Sequence, residues 1–145
     1  MMVALEEAKI AATKGEIPVG SVVTCGDNII AKSHNLTETN ASALAHAELL
    51  VLQKASLILG EKRLTGCSIY VTLEPCLMCS GAIILSRISN LFFGCRDSKA
   101  GACRSLYETM DDKRLNHQCL VREGILETES AQILQNFFLK IRLEK

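Results

Sequence analysis

Cys67-Ser68-Ile69-Tyr70-Val71-Thr72-Leu73-Glu74-Pro75-Cys76-Leu77-Met78-Cys79 decides the fold together with Leu91-Phe92-Phe93-Gly94-Cys95 further along the chain. Residues 67–73 are rich in β-branched and aromatic side chains and read as a strand. Pro75 then opens a helix running to about Arg87, since proline's missing N–H is one the first turn leaves unpaired anyway. Residues 91–95 are apolar on both faces, the pattern of a central strand. Strand, helix, strand in this order is a crossover unit, which implies parallel pairing.

Working outward, residues 2–14 predict a helix with Leu5, Ala8 and Ala12 on one face, stopped by Gly15. Residues 17–24 and 29–33 form a hairpin about Gly26-Asp27-Asn28. A polar loop at 36–42 leads to an apolar helix at 45–59, closed by Gly60, with so few polar positions that burial on most sides is expected. Beyond the crossover come a loop of small residues at 96–104, a short strand at 119–121 and a last helix from about Glu127. That helix carries Leu134, Phe137, Phe138 and Ile141 on one side, with Phe137 expected in the core. With no repeat or linker, the chain predicts a single α/β domain over residues 1–145: three layers, α/β/α, around one mixed sheet.

Composition narrows the classes. The 145 residues are 48% hydrophobic and 22% charged, as in a globular protein with a real core. The first residues lack a basic, then apolar, export signal, and no run is long and apolar enough to span a membrane. Net charge is zero, so a nucleic-acid partner would have to be met by a local patch. Seven cysteines, an odd number without an export signal, argue against a disulfide framework and for a reducing, cytoplasmic setting. Outside Cys76 and Cys79 they read as small buried hydrophobes.

Two short patterns carry chemistry: His46-Ala47-Glu48 and Pro75-Cys76-Leu77-Met78-Cys79. Alone, His-x-Glu is common by chance, and Cys-x-x-Cys is equally a redox pair or half a structural zinc site. Together they suggest a metal. Cysteines three apart at a helix start can aim both sulfurs at one point, where the helix N-terminus favours thiolates. Two cysteines and one histidine make three protein ligands; a structural zinc takes four, whereas a catalytic zinc leaves one position open. His34, His117, Cys67, Cys95 and Cys103 offer no recognisable fourth-ligand spacing. Two residues from His46, Glu48 is not expected to share its helix face, and it fits a proton carrier rather than a ligand.

His-x-Glu followed by Pro-Cys-x-x-Cys is the signature of zinc deaminases. The chain resembles the cytidine deaminase superfamily, and within it the bacterial tRNA-specific adenosine deaminases, the TadA type, from about Gly15 to Arg142. The resemblance rests on Gly15-Glu16-Ile17-Pro18-Val19-Gly20, His34-Asn35, Ala45-His46-Ala47-Glu48 and Thr72-Leu73-Glu74-Pro75-Cys76-Leu77-Met78-Cys79. It continues through Phe93-Gly94-Cys95-Arg96-Asp97, Lys99, Asn116-His117 and Phe137-Phe138. It implies a cytidine deaminase-like fold with a central mixed five-stranded sheet and one Zn2+ per subunit on His46, Cys76 and Cys79. The implied reaction is hydrolytic deamination of adenosine to inosine at the wobble position of tRNA, by zinc-bound hydroxide attack at adenine C6 with Glu48 shuttling protons. Asn35 would bond the flipped nucleotide, with Pro18, Val19 and Ala47 lining the pocket. Arg96, Asp97, Lys99 and Phe138 would meet the anticodon stem-loop, and the family is typically a homodimer. The chain departs at Ser42-Ala43-Leu44, where the family has an acidic residue, proline and threonine; Ser42 is expected to cap the following helix instead.

Two other functions stay open at this point. One is a deaminase of a free base or nucleoside such as guanine or cytosine, with the same metal chemistry. The other is a non-catalytic zinc-binding subunit that interacts with RNA, which the presence of Glu48 argues against.

Overall fold

The computed structural model describes residues 1–145. In chain order the elements are α1 (Met2–Thr13), β1 (Gly20–Cys25), β2 (Asn28–His34), α2 (Ala47–Leu59), β3 (Cys67–Leu73), α3 (Leu77–Leu85), β4 (Asn90–Cys95), β5 (Leu120–Arg122) and α4 (Glu127–Glu144). A 3-10 turn at Thr109–Asp111 precedes β5.

The sheet has five strands in the order β2-β1-β3-β4-β5. β1 pairs antiparallel with both β2 and β3. β3 and β4 are parallel, as their intervening helix requires, and β5 joins β4 in parallel. The sheet is therefore mixed, and β3 is its middle strand. Ile69, Val71, Leu91 and Phe93 are fully buried in its centre, each stabilising the fold by roughly 1.5–3 kcal/mol. α1 and α4 contact each other and the sheet, while α2 packs on β1, β2 and α3, giving the expected three layers, α/β/α.

Several elements differ from expectation for local reasons. The buried stripe of α1 is Ala4, Leu5, Glu7, Ala8 and Ala11, so Ala12 lies outside it. Strand β1 starts only at Gly20, because 17–19 makes a tight turn in which the Val19 N–H bonds the Ile17 carbonyl at 2.8 Å. Pro75 sits outside α3, and Cys76 is its N-cap, in extended backbone. Likewise His46, not Ser42, is the N-cap of α2; the Ser42 hydroxyl instead accepts the Leu44 N–H at 3.2 Å within the loop. Gly60 ends α2 in the left-handed region (φ 67°), where a side chain would be strained. α2 is not buried on most sides: Leu57 is 84% and Ile58 64% exposed. Phe137 is half-buried rather than core, and α4 buries only Ser130.

The cysteines hold one further surprise. Cys25 and Cys67 stand directly opposite each other across β1 and β3, with Cα atoms 4.5 Å apart, and their sulfurs are bonded. The expectation that both are free thiols is corrected by this cross-strand register. Cys95, Cys103 and Cys119 are free and buried, as expected of small hydrophobes.

Candidate active site

The site forms where the starts of α2 and α3 meet at one end of the sheet. His46 Nδ1 lies 3.6 Å from the sulfurs of both Cys76 and Cys79. A tetrahedral zinc with ordinary Zn–S and Zn–N bonds separates such a sulfur and nitrogen by about 3.6 Å. The donor set therefore fits zinc in type, number and spacing, and no other histidine, cysteine or carboxylate joins the group. His34 Nδ1 is engaged with Glu7 Oε2 at 2.7 Å, and His117 Nε2 with the Ile88 carbonyl at 2.6 Å, so neither competes.

Both helices contribute donors through their caps. Cys76 and His46 are N-caps in extended backbone, whereas Cys79 lies inside the first turn of α3 and is fully buried. The extended conformation at His46 (φ −73°, ψ 149°) explains how it converges with Glu48 despite their spacing. Among the protein groups alone, hydrogen bonding from Cys79, outweighing burial, pulls the Cys76 thiol down to about 4. The Cys79 thiol, which shares its proton with that thiolate and is desolvated, is pushed up. A helix-start thiolate beside a histidine is the state a zinc ion captures.

Glu48 is only 4% exposed. Burial pushes its carboxyl up to about 7, against the opposing pull of its own backbone N–H and of His46. A group titrating near neutrality beside a metal site suits proton transfer. His46, Glu48 and Cys76 open into a cavity of about 190 Å³, with Asn35 and Thr37 on one wall and Asp97 and Ala100 on another.

The model of the MafB19-like deaminase family matches residues 1–142. The chain belongs to that family. Among relatives of this deaminase, the tRNA-specific adenosine deaminase of Bacillus subtilis is 46% identical over 145 residues, spanning all of this chain and 90% of that protein. The tRNA-specific adenosine deaminase of Aquifex aeolicus is 44% identical, over 98% of this chain and 93% of its own. A structure from a study of A-to-I editing by tRNA:A34 deaminases at the wobble position is 41% identical, with a TM-score of 0.89, over 92% of this chain and 97% of that one. Guanine deaminase from Nitrosomonas europaea, 22% identical with a TM-score of 0.83 over 94% and 81% of the two chains, shares the fold.

The deaminase pocket gathers most of the residues singled out in the sequence, but not all. Asn35 (5% exposed), Val19, Ala47 and Asp97 line it. Pro18 does not; it is buried between Ile17 and Val19, which do, in the tight turn closed by the Val19 N–H on the Ile17 carbonyl. Asn35 donates from Nδ2 to Thr37 Oγ1 at 3.3 Å. Asp97 Oδ1 accepts the N–H groups of Lys99 (3.0 Å) and Ala100 (3.2 Å), shaping its own turn. Arg96 is paired in bidentate fashion with Glu123 at 2.7 and 2.8 Å and lies outside the cavity. Lys99 and Phe138 are exposed and also outside it.

Sequence reading missed Glu16 and Glu74 as individual residues. Both are buried acids, and each holds a loop that borders the pocket. Glu16 accepts the backbone N–H groups of Glu38 (3.1 Å) and Thr39 (2.6 Å), fixing the loop that delivers His46. Burial works against the charge, yet these hydrogen bonds prevail and hold the Glu16 carboxyl below its ordinary value of 4.5. A depressed carboxylate stabilises the fold above its unfolded pKa and loses that contribution as pH falls. Glu16→Gln is therefore expected to lower the thermal midpoint by several degrees at pH 7. The gap from wild type should narrow as pH drops below 4.5, which melting curves across pH will show.

Proposed function

We propose that all 145 residues form one zinc-dependent deaminase domain that converts adenosine to inosine at the wobble position of tRNA. The single observation carrying this reading is the three-donor cluster of His46, Cys76 and Cys79 beside buried Glu48, in a chain 46% identical over its whole length to a tRNA-specific adenosine deaminase.

His46, Cys76 and Cys79 would hold the zinc. When bound, zinc supplies Lewis-acid activation of water at neutral pH. Glu48 takes one proton from the attacking water and delivers it to the ring nitrogen next to C6; it then takes the remaining proton from the new C6 hydroxyl and passes it to the departing amine, so that ammonia leaves and the C6 carbonyl forms. Asn35, already oriented by Thr37, hydrogen-bonds the flipped-out nucleotide, and Val19 and Ala47 shape the floor against its base. Asp97, Lys99, Arg96 and Phe138 contribute to the surface that meets the anticodon stem-loop. The Arg96–Glu123 pair is exposed to solvent and so contributes little to stability, which lets a phosphate replace the carboxylate.

The protein acts as a homodimer in the cytoplasm. Leu57 and Ile58 on α2 and Leu85 on α3, 76% exposed, supply an apolar surface that a second subunit would cover. No helix is long and apolar enough to cross a membrane.

The reading is tested by offering zinc-loaded protein an RNA hairpin with a looped-out adenosine alongside free adenosine, cytidine and guanine. Inosine should form in the hairpin; turnover of the free compounds alone would reassign the substrate to a base or nucleoside.

A further inference from the structure

We propose that Glu74 is a positioning residue that holds the Asp97 wall of the substrate pocket in place for RNA binding, a role that rests on the tRNA deamination reading above. Glu74 follows the last residue of β3, and its own N–H donates to the Cys95 carbonyl at 2.9 Å, anchoring it between the ends of β3 and β4. Its carboxylate is 2% exposed, and the 96–105 loop wraps around it. Oε1 accepts the Asp97 N–H at 3.1 Å and the Ser105 hydroxyl at 2.5 Å. Oε2 accepts the N–H groups of Cys103 (3.0 Å), Arg104 (2.8 Å) and Ser105 (2.9 Å).

These five donors exceed the roughly four lone-pair sites of one carboxylate, so those on Oε2 share. No Lys or Arg side chain bonds it; four backbone N–H groups and the Ser105 hydroxyl compensate the buried charge, so the loop's path is dictated by the acid. Gly101 has the same logic in reverse. A Cβ there would run into the Glu74 carboxylate, so the close approach demands glycine. The loop is also stitched to the ligand side, with Ala102 N–H on the Pro75 carbonyl at 2.9 Å and a backbone bridge between Gly101 and Cys76. One charge thus aligns the wall bearing Asp97 and Ala100 with the metal ligands.

Glu74→Gln separates this role from general structure. The amide oxygen takes the Oε2 place, where three N–H groups converge, and the NH2 falls at the Oε1 place. Ser105 can rotate its hydroxyl to accept, but the Asp97 N–H then faces a donor. Only the Asp97 anchor is lost. The variant should keep its zinc and show faster hydrogen exchange at the Asp97 amide, with Cys103, Arg104 and Ser105 still protected. Its KM for the RNA hairpin should rise about tenfold with kcat unchanged, the size expected for one lost hydrogen bond to a charged group. Gly101→Ala, which displaces the whole carboxylate, should speed exchange at all four amides and raise KM in the same direction. Exchange and KM both matching wild type would overturn the proposal, as would a loss of zinc or a fall in kcat at constant KM. A wild-type protein that leaves the hairpin untouched defeats the deamination reading instead, and amide exchange still decides whether Glu74 holds the wall.

Discussion

Glu48→Gln is expected to retain zinc and the fold while deamination falls by about a thousandfold or more. The substitution keeps the shape of a side chain that is 4% exposed, so packing is preserved. It removes the only group at this position able to take a proton and give it back. General acid–base catalysis contributes roughly 10²–10⁴-fold, and here one residue serves two transfers, to the ring nitrogen and to the amine. Among the protein groups alone, burial pushes its carboxyl up to about 7. Metal analysis, a melting curve and turnover on the hairpin check the result together. Zinc lost with the carboxylate would make Glu48 a ligand or a structural acid.

Cys79→Ala should weaken zinc binding by more than about 100-fold and abolish turnover. Loss of an outer-shell partner alone already costs up to about that factor, and Cys79 is one of only three donors. It is fully buried, so water cannot easily take the vacated position. The wild-type melting temperature should rise on zinc addition, since a ligand binding only the folded state stabilises it. The variant should melt at one temperature with or without zinc. Competition with a chromophoric chelator measures the affinity; wild-type affinity in the variant would remove Cys79 from the ligand set.

The legible parts of this molecule are local in sequence. Residues 67–95 announce a strand, a helix and a parallel strand through periodicity and one proline, and the structure differs there by a residue or two. The three-donor cluster is legible because Cys76 and Cys79 sit on one turn and His46 opens another. What depends on distant neighbours is not. Periodicity says nothing of register, so the meeting of Cys25 with Cys67 emerges only when β1 lies against β3. An apolar helix looks buried whether its neighbour is the same chain or another, which is why the exposure of Leu57 and Ile58 runs against expectation. Glu16 and Glu74 look like ordinary acids until the loops they gather are folded around them. The sole hint was position: an acid at a strand end just before Pro75, and another just before the 17–19 segment.

The Ser42-Ala43-Leu44 departure has a structural answer. His46 takes the N-cap position itself, Leu36 N–H bonds the Ala45 carbonyl at 3.0 Å, and Glu16 secures the loop from beneath. In this chain the segment brings His46 to Cys76 and Cys79 without a proline ahead of it.

Sequencing tRNA for inosine after incubation with the zinc-loaded protein tests the central claim most directly. The account predicts inosine at the wobble position of tRNA that carries adenosine there, and none with the Glu48→Gln variant. Adenosine left intact at that position, while free guanine, cytosine or adenosine is deaminated, would contradict it.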